Sequence, residues 1–174
     1  MVGITGRIGA GKTSVARHLS DAHRFFYIRY SQVLSDWRAR DPESKAHLQK
    51  VGWEVMAGGM QAELNQRLIA RIPGPDCAVD GLRHPLDYES LSQAFPSYFK
   101  LLYIDSSQEL RWARLIARDR TREEVRQADS HNVEQQIGFL REKAFAVIDN
   151  NGSLQDLYSK VDSLLKPMRS GGQA

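Results

Sequence analysis

Residues Gly3–Ala16 read GITGRIGAGKTSVA, and this stretch decides the fold. Its spacing, Gly6-x-x-x-x-Gly11-Lys12-Thr13, is the pattern of a phosphate-binding loop, with a strand before the glycines and a helix after them. The apolar run Met1–Thr5 supplies the strand, and KTSVARHLSDA supplies the helix. Gly6, Gly9 and Gly11 permit a tight turn that points successive backbone N–H groups at an anion. The positive end of the following helix strengthens that field. The ammonium of Lys12 reaches the β- and γ-phosphates of a nucleotide, and the hydroxyl of Thr13 binds Mg2+. The expected nucleotide-phosphate set is therefore Gly6, Gly9, Ala10, Gly11, Lys12, Thr13 and Ser14.

Outward from this loop, apolar runs alternate with helical patterns. Further strands are expected at Phe25–Tyr30, Cys77–Gly81, Lys100–Asp105 and Phe145–Asn150. Ser31 reads as the N-cap of the helix QVLSDWRA. From Lys45 to Ile72 the pattern is helical, with Met56, Met60, Leu64, Leu68 and Ile72 recurring every fourth residue as one core-facing stripe. Pro85 suits the first turn of a helix. SSQE (Ser106–Glu109) reads as a capping box that opens an arginine-rich helix. A last helix is expected from Ser153 to Leu165, followed by a frayed tail, KPMRSGGQA. Strands alternating with helices imply parallel pairing, hence an α/β fold: a P-loop NTPase three-layer sandwich with five parallel strands flanked by helices. Ligands of such sheets bind at the carboxyl ends of the strands, where Gly6, Ser31, Asp80, Asp105 and Asn150 fall.

Bulk properties agree with that class. The 174 residues, 41% apolar and 26% charged, suit a single soluble domain over 1–174, with no repeats and no linker. No stretch reaches about eighteen consecutive apolar residues, so no membrane span is expected. The N-terminus enters an apolar strand-like run at once, so no basic leader or cleavage site is expected. A lone cysteine, Cys77, permits no internal disulfide and suits a reducing cytoplasm. A net charge of +3 and a pI near 9.1 fit phosphorylated small molecules as well as nucleic acid.

Several P-loop classes are excluded by residues. No Asn-Lys-x-Asp motif reads guanine, which argues against a GTPase. SGGQ (Ser170–Gln173) imitates an ABC-ATPase signature, but only Ala174 follows it, whereas that signature must cap an interior helix. Asp80, ending the strand of CAVDG, is placed to hold a Mg2+-bound water or the acceptor. Arg83, three residues on, faces the same phosphate cavity with a fork-shaped cation. Arg111, Arg114, Arg118 and Arg122 stand at spacings of three, four and four, so one continuous helix would put them on a single face. Arg120 and Arg126 add charge nearby. Phosphoryl transfer needs such cations to neutralise the transferring group.

GITGRIGAGKTSVA, VDGLRHPLDYESL, RWARLIARDR and FAVIDNNGSLQDL, in this order from Val2 to Leu165, resemble the nucleoside-monophosphate kinase and dephospho-coenzyme A kinase branch of P-loop kinases. The form Asp80-Gly81-Leu82-Arg83 is similar to the Asp-Gly-x-Pro-Arg of nucleotide kinases, where dephospho-coenzyme A kinases carry Pro-Leu-Leu-Phe-Glu. Likewise Arg29-Tyr30-Ser31 stands where the latter have Asp-Ala-Asp. The resemblance implies sheet order 2-3-1-4-5, an acceptor-binding helical segment over 31–72 and an arginine-bearing lid over 118–129. It implies that Asn150 to Gly152 cup the adenine and that Arg114 lies against the base. Arg118 with Arg120 or Arg122 would clamp the phosphates, so Lys12, Asp80, Arg118 and Arg122 carry the chemistry. Ser31, Arg38 and Arg83 would bind the acceptor, and Thr13 with Asp80 the metal. Asp129–Glu134 receives no role, and Asn132 with Gln135 reads as a helix cap.

The expected activity is Mg2+-dependent phosphoryl transfer from ATP to a nucleotide, foremost a ribo- or deoxyribonucleoside monophosphate. An acceptor phosphate is already ionised, so no strong base is required. A hydroxyl acceptor, dephospho-coenzyme A or a hydroxymethylated base, would instead use Asp80 or Asp36 as base. A nucleotide-binding regulator is the reading from another class. Nucleic acid is disfavoured because Trp112 alone offers an aromatic platform among the arginines. The expected partner is a small-molecule acceptor, bound by a monomer or a homodimer.

Overall fold

Strand β1 (Val2–Thr5) is buried along its whole length and forms the centre of a five-stranded parallel sheet. The computed structural model describes residues 1–38, 45–118, 120–131, 134 and 137–170. Beside β1 lie β3 (Cys77–Asp80), with Val2 opposite Ala78, and β4 (Lys100–Asp105), with Val2 opposite Lys100. β2 (Phe26–Arg29) and β5 (Ala146–Asp149) form the edges, giving the expected order β2-β3-β1-β4-β5.

The period-two pleat sorts side chains onto two faces. Val2, Ile4, Ala78, Leu102, Ile104 and Ile148 pack with Val15 and Leu19 of α1 (Lys12–His23) and with Leu157, Val161 and Leu165 of α9 (Leu154–Ser170). Val79 and Leu101 turn the other way. They meet α2 (Tyr30–Arg38), α3 (Lys45–Ala57), α4 (Gln61–Ile69), α5 (Pro85–Ala94) and α8 (Ile137–Glu142) through Val33, Val55, Leu68, Leu91 and Leu140. Sandwiching a parallel sheet between helices is what its continuous apolar strands require. Among the described residues no helix is long and apolar enough to cross a membrane.

Five local expectations are corrected. Helix α2 starts at Tyr30, directly from β2, so Ser31 is a helical residue and not a cap; Tyr30 is buried with its hydroxyl on Asn65. The stripe over 45–72 is split, because Gly58 and Gly59 end α3 and Gly59 takes φ +71°, a left-handed value that breaks a helix. Leu64 and Leu68 keep their core positions in the separate helix α4. Ser107, not Ser106, caps α6 (Gln108–Ile116) by accepting from the N–H of Leu110, while the hydroxyl of Ser106 donates to the carbonyl of Asn150. The arginine helix is broken after Ile116, and α7 (Arg122–Ser130) begins with its own capping box between Thr121 and Glu124. Helix α9 also runs on to Ser170, past the expected start of the frayed tail. Residues 39–44, Asp119, Asn132, Gln135 and most of SGGQ lie outside the described residues.

Candidate active site

The chain turns from β1 into α1 through Gly6–Gly11, and the turn depends on its glycines. Gly9 and Gly11 take φ +80° and +106°, and a Cβ at Gly11 would collide with the amide of Asn150. That amide donates to the carbonyl of Ala10 at 2.7 Å, so the end of β5 holds the loop against the sheet. Lys12, half-buried, folds its Nζ back onto the carbonyls of Gly6 (2.6 Å) and Arg7 (2.9 Å). Burial and the nearby Arg83 guanidinium push its ammonium down to about 8. A dianionic phosphate in the loop would supply the missing counter-charge.

Asp80 ends β3 beside the loop, only 5% exposed. Its Oδ2 accepts from the hydroxyl of Thr13 at 3.0 Å and from that of Tyr27 at 2.9 Å. Burial and the Asp80 carboxylate push the Tyr27 phenol well above its ordinary value, so it stays a proton donor to Asp80. A hydroxyl and a carboxylate at hydrogen-bond distance are hard oxygen donors, which fit Mg2+.

A cleft of about 810 Å3 opens over these groups. Gly9, Gly11, Lys12, Thr13, Ser14, Ser31, Asp80, Arg83 and Arg118 line it, so most of the sequence-derived set is brought together. Some residues fall elsewhere. Arg38 donates to the sulfur of Met60 at 2.7 Å and stacks 4.4 Å over the Trp37 ring, away from the cleft lining. Arg122 is the exposed first residue of α7, a helix separate from the one that carries Arg114, because α6 ends at Ile116. Arg120 lines the cleft instead. Ala10 is buried under the loop. Asn150 and Gly152 are not cleft residues, and neither is Arg114, which donates to the carbonyl of Asn150 at 2.9 Å and to the hydroxyl of Ser106.

The sequence reading missed a set of buried charges that brace the loop. Arg111, 3% exposed, donates to the carbonyl of Ile8 (3.0 Å) and grips Asp129 with two nitrogens, at 2.5 and 3.1 Å. Burial pushes the Asp129 carboxyl up, but hydrogen bonds from Arg111 and Trp112 outweigh this and hold it below the ordinary carboxylate value. Glu134 is wholly buried at its side chain; Oε2 accepts from the N–H of Ile8 at 2.8 Å, and Oε1 is ion-paired to Arg83. The loop is thus clamped at Ile8 from two sides. Also missed were Arg29, which lines the cleft, and Gln61 at the start of α4. The Gln61 amide donates to buried Asp87 at 2.6 Å, and its Oε1 is buried with no hydrogen-bond partner among the described residues.

Comparison with known proteins follows the same lines. Over 186 residues the chain is 28% identical to the "UPF0200 protein" of Methanoculleus marisnigri, covering 99% of this chain and 98% of that one. It is 27% identical to the dephospho-CoA kinase of Deinococcus radiodurans, covering 96% and 91%. Among solved structures it superposes on TT1252 from Thermus thermophilus with a TM-score of 0.61, at 22% identity and covering 95% and 96%. A shikimate kinase of Aquifex aeolicus also gives a TM-score of 0.61, at 16% identity and covering 98% and 99%. These likenesses show a P-loop kinase fold. A family model described as "AAA domain" matches residues 2–137, with the loop, Asp80, Arg83, Arg111 and Glu134 all inside the match. By that match and by the clamped phosphate loop at its centre, the chain belongs to the AAA domain family of P-loop proteins.

Proposed function

We propose that the protein is a phosphotransferase that moves the γ-phosphoryl group of ATP to a nucleotide acceptor, a ribo- or deoxyribonucleoside monophosphate. One observation carries this reading: a single cleft runs from Lys12 and Thr13, past Asp80 and Arg83, to Ser31 and Gln61 on the helical segment. Donor and acceptor chemistry therefore share one cavity large enough for both reacting ends. Mg2+, held by Thr13 and Asp80, would neutralise the β- and γ-phosphates. The P–O bond between the β-phosphate and the γ-phosphorus breaks, a P–O bond to the acceptor oxygen forms, and ADP leaves.

Within that scheme each group has a position-specific task. Lys12 leaves its two carbonyls for the phosphates. Arg83, oriented by Glu134, meets the acceptor phosphate, and Arg118 with Arg120 closes from the 118–129 lid. Gln61 Oε1, buried and without a partner among the described residues, accepts an N–H from the acceptor's base. A buried acceptor without a donor costs about 1–3 kcal/mol, which a base with an N–H edge removes.

A second reading is favoured by the Deinococcus relative, which is named a dephospho-CoA kinase. There the acceptor oxygen is a hydroxyl, and Asp80 at the cleft floor takes its proton. One experiment separates the two. Mg-ATP is incubated with nucleoside monophosphates, hydroxymethyl-dUMP and dephospho-coenzyme A, and the products are weighed by mass spectrometry. A nucleoside diphosphate supports the first reading, and phosphorylated dephospho-coenzyme A the second. No product with any acceptor would overturn both.

A further inference from the structure

On the face of the molecule that carries α1 and α9, three side chains converge that the phosphate chemistry does not use. His18 lies on α1, His23 is its last residue, and Asp162 comes from α9. Nε2 of His18 stands 2.6 Å from Asp162 Oδ1, and Nε2 of His23 stands 2.7 Å from the same oxygen. One ligand atom from each of the three lies within 4.8 Å of the other two.

We propose that His18, His23 and Asp162 bind a divalent transition ion of the Zn2+ class, which ties the C-terminal end of α1 to α9. Two imidazole nitrogens and one carboxylate oxygen are a donor set suited to Zn2+ and its neighbours, and a poor one for Mg2+ or Ca2+. Zn2+ bonds of about 2.0–2.2 Å in a tetrahedron set neighbouring ligand atoms about 3.3–3.6 Å apart. The carboxylate must therefore swing outward by less than about 1 Å from both rings. Asp162 can do so, because its side chain is 44% exposed.

The rings are already oriented for this. His18 stacks on Tyr158 with centroids 4.1 Å apart and planes within 6°. His23 meets His18 edge-on, with centroids 5.3 Å apart. Immediately after His23 the backbone turns into the left-handed region at Arg24, φ 59°, whose N–H closes the helix on Leu19 and Ser20. The end of α1, and with it His23, is held by that closure.

This site is remote from the phosphate loop. Lys12 and His23 are at opposite ends of α1, and eleven helical steps of about 1.5 Å separate their backbones by about 16 Å. The ion is a staple between two helices on one face of the sheet, and takes no part in phosphoryl transfer.

The test uses the untagged full chain after chelator treatment. Zn2+ is titrated in competition with a chromogenic chelator, and Co2+ binding is read from its visible absorption. One equivalent of Zn2+ is expected, together with the intense Co2+ bands of a four-coordinate site. H18Q, H23Q and D162N should each weaken Zn2+ binding by about tenfold or more. Zn2+ should raise the Tm of the wild type and leave that of the H18Q/H23Q double variant unmoved. H23Q and D162N keep both rings of the His18–Tyr158 stack, so they report on the ion even where H18Q loses stability by itself. Undiminished binding by the double variant, or no Zn2+ bound by the wild type, would overturn the proposal.

Discussion

The carboxylate of Glu134 joins Arg83 to the phosphate loop, holding the guanidinium on one oxygen and the N–H of Ile8, at 2.8 Å, on the other. Arg83 and the backbone of the phosphate loop are thereby set relative to each other by one buried side chain. Glu134→Ala leaves a half-buried cation and a backbone donor without their partner, and should lower stability by about 3 kcal/mol. For a chain of this size that is a fall in Tm of about 6–12 °C, readable by calorimetry. Glu134→Gln keeps an acceptor for Ile8 and loses the charge, so it should fold and show a raised KM for the acceptor. An unmoved Tm in Glu134→Ala would remove the clamp from the argument.

Asp80 receives two hydroxyls on one oxygen, and the two make separable contributions. Tyr27→Phe removes only the outer hydrogen bond and should lower kcat by about tenfold, since hydrogen bonds to a charged group are worth about 1.5 kcal/mol or more. Asp80→Asn should do more, and should raise the Mg2+ concentration needed for half-maximal turnover. Steady-state rates across a Mg2+ series check both. A Mg2+ requirement identical in all three proteins would confine Asp80 to a structural role.

Local patterns carried most of the fold. The phosphate loop is contiguous, and each strand is a short apolar run, so both can be read along the chain. The arginine stripe failed because it assumed helical continuity from Arg111 to Arg122. The box Thr121-Arg122-Glu123-Glu124 that restarts the helix was present in the sequence as a capping signature. Glu134 had no such signature. Its partner Ile8 is 126 positions away and Arg83 is 51, and no periodicity links residues across that distance. Arg38 was matched to the acceptor by analogy, but Trp37 beside it offers its ring to the guanidinium, 4.4 Å away.

Gln61 should govern the acceptor and not ATP. Gln61→Leu removes the oxygen that has no partner among the described residues together with a donor to Asp87, whose carboxyl burial already pushes upward. The KM for a nucleoside monophosphate should rise by about tenfold, while the KM for ATP stays within error. Ribose 5-phosphate, which has no base, provides the control: whatever weak turnover it supports should be the same in both proteins. Equal losses for ATP and the nucleotide would place Gln61 outside base recognition.

Lys12 gives the site a pH dependence whose sign is fixed by geometry. Burial and Arg83 push its ammonium from 10.5 down to about 8. The folded value lies below the unfolded one, so the buried cation weakens the free protein below about pH 8, and that penalty lifts as pH rises toward 10.5. Bound phosphates reverse the preference, because they favour the protonated amine. Above about pH 8 nucleotide binding should therefore take up a proton, and ATP affinity should fall with rising pH by up to about tenfold per unit. Calorimetric titrations in buffers of different ionisation heat measure that proton directly. Lys12→Met should bind ATP more weakly at every pH and show no proton uptake. A wild-type affinity that stays flat between about pH 7 and about pH 9 would mean that Lys12 remains fully charged without the nucleotide.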